Sequence, residues 1–273
     1  MNVIDYFSGK ADCYDDVDFQ PYWKFSDELL WHLLKSFVLP KKENAAFTLL
    51  DAGAGTARWT TKTLESYPRA TARLVDISLE MLTQAKKKLE ERQFLARAEI
   101  QLGDVRDMSH VEKETVNVVF CLHNVVGFFD NSLAAIANFY QKLKKGGKCA
   151  VMFPSFYHAL YFSNATGRIG QTEKIAKEKR VQYNDAMPPL KVFELHEIEQ
   201  FQKEAGFKRV QCYGFPVTVY PGMEETFLHG SSATLVKLFN EPYRSQLMEV
   251  EKQLCMQREL SPRGNNILAV FEK

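Results

Sequence analysis

FTLLDAGAGTA, residues 47–57, is an apolar run that enters a pair of spaced glycines and leaves into TARWTTKTLESY, residues 56–67, a stretch with helical character. A strand that turns through glycine into a helix is the opening half of a strand–helix–strand unit. Outward from it the pattern repeats. ARLVDIS (72–78) is a second strand ending in an acid, and SLEMLTQAKKKLEERQFL follows as a charged helix. AEIQLGD (98–104) and VNVVFCLH (116–123) are the third and fourth strands, the latter continuously apolar as a central parallel strand covered on both faces should be. A helix over 132–143 leads into KKGGKCAVMFP, where Gly146 and Gly147 turn the chain into a fifth strand. Strand and helix alternate with short connections, which predicts an α/β fold with a doubly wound, mainly parallel sheet. Upstream, Leu29, Leu30, Leu33, Leu34, Phe37 and Val38 form a helical stripe closed by Pro40. After Pro154 the rhythm breaks into an aromatic and then charged stretch (155–194), a helix over 195–205 and a strand over 207–213. NNILAVFEK (265–273) is expected as a last strand beside the sixth.

In open parallel sheets ligands bind at the carboxyl ends of the strands. Three consecutive strands here end in acids: Asp51 before Gly53 and Gly55, then Asp76, then Asp104 after Gly103. Any one of them reads equally well as a turn former or helix cap; three in succession read as a site. The glycines let a ligand lie against bare peptide groups. Asp76 is placed to accept from both hydroxyls of a ribose, and Asp104 to meet an adenine amino group. A nicotinamide-dinucleotide fingerprint places a third glycine where this chain has Arg58. Asp51 beside the turn repels a pyrophosphate and suits an ammonium, so the expected ligand is a nucleoside carrying a cationic amino acid.

LLDAGAGTA, LVDIS, GDVRDM, VVFCLHNVVGFF and LKKGGKCAVMF, in this order over residues 45–155, resemble the successive motifs of class I S-adenosylmethionine-dependent methyltransferases. The resemblance implies a seven-stranded Rossmann-like sheet with helical cap insertions, S-adenosylmethionine as cofactor and S-adenosylhomocysteine as product. It places Gly53 and Gly55 beneath the methionine part with Asp51 near its ammonium, Asp76 on the ribose, Ile77 and Val105 flanking adenine, and Asp104 on its amino group. His123 and Asn124 then face the sulfonium and the substrate. Ala57 stands where a third glycine is frequent, an exchange expected to be tolerated because alanine is small. IDYFSGKADCYDD followed by PYWKF resembles the N-terminal lid of small-molecule methyltransferases of the ubiquinone-biosynthesis type. In that reading Tyr14 and Trp23 cover the cofactor, and Tyr6, Phe7 and Tyr22 line the acceptor site, aromatic faces favouring a sulfonium. The alternative is that these aromatics only anchor the terminus to the core. The Asn/Asp-Pro-Pro-Tyr/Phe motif of enzymes that methylate base amines or glutamine amides is missing from HNVVGF, which disfavours both.

Methyl transfer needs positioning, water exclusion and, for some acceptors, a base. His123, ending the fourth strand, is the first candidate base, and His158 in FPSFYHALYF the second; Tyr157 and Tyr161 beside it are candidate substrate contacts. Each histidine reads equally as a structural group. The expected layout is a lid and helix over 1–44 and a methyltransferase domain over 45–273, with cap insertions at about 155–194 and 216–260. The acidic run DCYDDVD (12–18) reads as a solvated turn or as an attractor for an amine.

The remaining bounds come from composition. The 273 residues are 45% apolar or aromatic and carry 35 Lys plus Arg against 34 Asp plus Glu, a formal charge of +1. That excludes a disordered chain and disfavours nucleic acid as a partner, which calls for a dominant basic surface. No apolar run approaches the ~20 residues of a membrane span, and the acid-rich start is unlike a secretory signal. The five cysteines are scattered without a CxxC, so no zinc site is expected and reduced thiols in a cytoplasmic setting are. The expected function is methylation of a small molecule, with RNA modification and a noncatalytic cofactor-binding role as alternatives. Neither the acceptor atom nor the oligomeric state is legible.

Overall fold

The computed structural model describes residues 2–219 and 238–273. Its centre is a seven-stranded sheet. Strands β1 (Thr48–Ala52), β2 (Thr71–Asp76), β3 (Ala98–Leu102), β4 (Val116–Cys121) and β5 (Leu143–Pro154) run parallel in the order β3-β2-β1-β4-β5. Strand β8 (Arg209–Phe215) forms the far edge, and β9 (Asn266–Glu272) lies antiparallel to both β5 and β8. The final strand thus sits between the fifth and sixth, not simply beside the sixth. A two-stranded ribbon, β6 (Arg180–Val181) with β7 (Leu190–Lys191), stands apart.

Alternate residues of the strands feed two cores, as the two-residue period of a pleated strand demands. Leu49, Val118, Phe120, Ala150, Met152, Leu268 and Val270 face one side. Leu50, Val119, Cys121, Val151, Phe153, Ala269 and Phe271 face the other. The first side is covered by α2 (Pro21–Phe37), α3 (Arg58–Ser66), α4 (Leu79–Glu91) and α9 (Tyr243–Leu254), the second by α5 (Ser132–Lys142) and α8 (Leu195–Ala205). Helix α2 starts with Pro at N1, where the missing N–H costs nothing, and buries Tyr22, Phe25, Leu29, Leu30, Leu33 and Leu34. The helix expected upstream of the sheet is therefore part of the main core. The first residues add α1 (Val3–Ser8) and a 3-10 turn, Tyr14–Phe19.

Gly146 and Gly147 lie inside β5, not before it. The register against β4 jumps from Val116↔Leu143 to Val118↔Lys148, and the two glycines take up the bulge. Gly146 has φ +75°, and a Cβ on Gly147 would sit 2.9 Å from the Asn117 carbonyl. The segment after β5 folds as α6 (Phe156–Ala165), α7 (Ile169–Glu178) and the ribbon around a small core of Ala159, Ile175, Val181, Leu190 and Val192. Of the insertion expected at 216–260, residues 220–237 lie outside the described residues. Among the described residues no helix is long and apolar enough to cross a membrane.

Candidate functional site

The strand order reverses between β1 and β4, and at that point, outside the carboxyl ends of the strands, lies a cleft of about 1020 Å³, its open mouth included. The turn after β1 forms its floor. Gly53 has φ +82°, and a Cβ there would come within 2.6 Å of Val125 Cγ2; Gly55 has φ +53°. Both adopt left-handed backbone, which glycine tolerates best, and at Gly53 space demands it too, whereas a Cβ at Gly55 would meet nothing nearer than Tyr14 at 4.0 Å. The Gly53 and Ala54 amides donate to the Val75 carbonyl at 2.8 and 3.1 Å, tying the turn to β2. Ala57 too is left-handed, with φ 62°, immediately before α3. The backbone angle favours glycine at that position by about 1–2 kcal/mol over an L-residue, and the complete burial of Ala57 calls for a small side chain as well.

The three strand-terminal acids converge on this cleft in different states. Asp51 is buried, accepts from Thr60 Oγ1 at 2.6 Å, and pairs with no described Lys or Arg. Burial pushes its carboxyl up to about 6. Asp76 accepts from the Gly55 amide at 2.8 Å and the Ser78 amide at 2.9 Å, and burial raises its pKa as well. The two bonds aim the carboxylate while each oxygen keeps a lone pair. Asp104 is gripped by Arg106, whose Nε lies 3.0 Å from both carboxylate oxygens, and these hydrogen bonds hold its pKa below the usual range. The Arg106 guanidinium in turn lies 5.3 Å over the Phe129 ring. Ile77 and Val105 flank the space between Asp76 and Asp104.

At the other end β4 gives way to two successive left-handed residues, His123 (φ 50°) and Asn124 (φ 65°). Unusual backbone of this kind concentrates at functional sites. His123 lines the cleft, and its Nε2 accepts from Trp59 Nε1 at 2.6 Å. Trp59 and Arg58 form the first turn of α3. Arg58 Nη2 donates to Asp27 Oδ2 at 2.6 Å and also to Asp18. The neighbouring Asp15 accepts from Thr56 Oγ1 at 2.6 Å and from Lys88 Nζ at 2.5 Å, and Asp12 accepts from Gln84 Nε2 at 2.7 Å. The acidic run keeps Asp12, Asp16 and Asp18 exposed, as a solvated turn does, and at the same time clamps the N-terminal segment onto the glycine turn, α3 and α4. Ser8 adds hydrogen bonds to Ser78 (2.9 Å) and Glu80 (2.6 Å), and Phe7 meets Phe128 edge-on at 5.4 Å.

Residues 49–147 match the family model described as a methyltransferase domain. The chain is 26% identical over 163 residues to the malonyl-[acyl-carrier protein] O-methyltransferase of Priestia megaterium, covering 59% of this chain and 54% of that one. It therefore spans about half the length of the curated relative it matches. Over that stretch the chain is similar to methyltransferases. Similar solved folds include Haemonchus contortus phosphoethanolamine N-methyltransferase 2 in complex with phosphomonomethylethanolamine and S-adenosylhomocysteine (17% identity, 98% of this chain and 60% of that one, TM-score 0.58). Another is a "possible histamine N-methyltransferase" of Thermotoga maritima (16% identity, 98% and 99% coverage, TM-score 0.60).

In this chain Asp51, Gly53, Gly55, Asp76, Ile77, Asp104, Val105, His123, Tyr14 and Phe7 all line one cleft. Other sequence-derived candidates do not. Tyr22 is fully buried in the core, its hydroxyl accepting from Asn265 Nδ2 at 2.8 Å, and Trp23 packs beside it at 5.0 Å. These two belong to α2 and the core, as the anchoring alternative has it. Tyr6 is buried behind Phe7 and accepts from Lys10 Nζ at 2.6 Å. His158 is buried on α6 and does not line the cleft, and burial lowers its pKa to about 3. Tyr157 and Tyr161 are half-exposed on the same helix, Tyr157 donating to Glu194 at 3.2 Å. Asn124 does not line the cleft, though its Oδ1 is buried with no hydrogen-bond partner among the described residues. Sequence reasoning passed over Trp59, Arg106, Phe128 and Phe129 as cleft residues. All four follow the carboxyl end of a strand by four to eight residues, which was the one available signal.

Proposed function

We propose that this chain transfers a methyl group from S-adenosylmethionine to a small-molecule acceptor held between the N-terminal segment and the carboxyl end of β4. The observation that carries the reading is Asp51: a buried carboxylate at the glycine turn, without a cation of its own. Such a charge is costly unless paired. An amino-acid ammonium supplies the missing partner, whereas a pyrophosphate would repel it. The turn and the aimed Asp76 fit the remaining parts of the same nucleoside, with Ile77 and Val105 as faces for its base.

S-adenosylmethionine, when bound, supplies an electrophilic methyl group on a cationic sulfur. The protein's own contribution is position and dryness. Tyr14, Phe7 and Trp59 bring aromatic rings to the cleft, where ring faces favour a cation. Tyr14 stays protonated, since burial pushes its hydroxyl up to about 12. Val3, Phe7, Phe128 and Phe129 wall the cleft with apolar surface and keep water from the reacting atoms. The N-terminal segment clamped beside the cleft and the near-zero formal charge favour a small acceptor over RNA. The test is incubation with methyl-labelled S-adenosylmethionine and a cell extract separated by size. Label is expected in the small-molecule fraction and to be lost in Asp51→Asn; label confined to RNA or protein would overturn the acceptor assignment.

A further inference from the structure

The Trp59 indole N–H donates to His123 Nε2 at 2.6 Å, the two rings lying 5.7 Å apart and tilted by 33°. An indole nitrogen can only donate, so His123 Nε2 must carry a lone pair and no proton. The ring's single proton then belongs on Nδ1. We infer that Trp59 is a positioning residue that holds His123 as the neutral Nδ1–H tautomer, making His123 a hydrogen-bond donor in the acceptor site and not the base that deprotonates the acceptor. The inference rests on the methyl-transfer reading for its meaning, though not for its geometry.

The charged groups around the ring come from three elements. Asp27 on α2 places Oδ1 4.0 Å from the same Nε2, Arg58 on α3 is bound to Asp27, and Asp18 of the N-terminal turn binds Arg58 from the far side. Asp27 and Asp18 favour an imidazolium and Arg58 opposes it, while burial outweighs them and lowers the histidine's pKa. Protonation at Nε2 would also set two N–H donors against each other. Ring electrostatics and the Trp59 contact therefore agree on a neutral side chain.

The consequence is chemical. A lone pair on the acceptor forms the new bond to the methyl carbon, the carbon–sulfur pair stays on sulfur, and no proton is passed to His123. An acceptor atom that carries no proton at neutral pH is what such a site serves.

The tautomer can be read without any ligand. The cofactor-free protein, labelled with 15N-histidine, is recorded at pH 7 by two-bond proton–nitrogen correlation, with His123→Leu identifying the His123 signals. A pyridine-type Nε2 and a pyrrole-type Nδ1 are expected, and Trp59→Phe should move the ring to the Nε2–H form or a mixture and raise the pH at which it titrates. A wild-type ring protonated on Nε2, or one unchanged in Trp59→Phe, would overturn the inference. Should Trp59→Phe fail to fold, the indole N–H of Trp59 serves instead: it is expected to resonate downfield in wild type and to move upfield in His123→Leu, and an indole signal indifferent to that substitution also refutes the contact. Because no cofactor is present, these results stand whether or not S-adenosylhomocysteine binds.

Discussion

Asp51 and Gly53 show how tightly single residues are constrained at the turn after β1. With its carboxyl raised to about 6, Asp51 is largely protonated at pH 5 in the free protein. The sign follows from linkage. An acid whose folded pKa lies above its unfolded value binds more protons folded than unfolded, so its contribution disfavours the fold as pH rises from about 4 to 6. A ligand ammonium reverses this by favouring the ionised form. Affinity for S-adenosylhomocysteine is therefore expected to fall about tenfold between pH 7 and pH 5. Calorimetry should find most of that dependence gone in Asp51→Asn, alongside weaker binding at pH 7. Gly53→Ala meets both obstacles at once, a φ of +82° and a Cβ 2.6 Å from Val125. It should cost about 1–2 kcal/mol from the backbone alone, visible in urea unfolding, and weaken cofactor binding. Equal stability and affinity in the variant would contradict this account of the turn.

The N-terminal segment is held to the rest of the protein by an unusual share of polar contacts. Asp15 and Asp18 bind Thr56 and Arg58, next to the turn that carries Gly53 and Gly55, and Lys88 on α4. Half-exposed ion pairs of this kind contribute about 0.2–1 kcal/mol each and weaken with salt. Asp15→Asn with Asp18→Asn is expected to speed S-adenosylhomocysteine release about 2- to 30-fold and to expose the segment before α2 to protease. Stopped-flow fluorescence from Trp59 in the cleft would follow the release, and high salt should reproduce the effect in the wild type but not in the double variant. Release that ignores both substitutions and salt would show that the segment is held by its apolar contacts, Tyr6 and Ala11 among them.

For the whole molecule, the two main cores pack on opposite faces of the sheet whose strand ends form the cleft, so ligand binding there stabilises the fold directly. S-adenosylhomocysteine at 100 times its dissociation constant adds about 2.7 kcal/mol, a rise in melting temperature of about 5–10 °C for a chain of this size. NAD should produce none, and a thermal scan with the two ligands separates the cationic-nucleoside reading from the dinucleotide one. This scale also sets the limit of sequence reading. The order of strands along the chain was plain, since β1, β2 and β4 are largely apolar runs between turn residues, β5 ends in one, and β3 alternates apolar with polar residues. The insertion of β9 between β5 and β8 was less so, because NNILAVFEK carries no mark of its neighbours.

The sequence alone determined the parallel sheet, the glycine turn and the three acids at successive strand ends, because apolar periodicity and strand-terminal position are local properties that survive in one dimension. The tertiary structure alone decided which aromatics face the cleft and which face the core. Tyr14 and Tyr22 are eight positions apart in similar surroundings, yet one covers the glycine turn and the other is buried with Asn265. It likewise made the exposed acidic run a clamp as well, and gave His123 a donor, Trp59, 64 positions away in the chain. Charge pairing and proton placement depend on contacts between distant segments, and those exist only once the chain has folded.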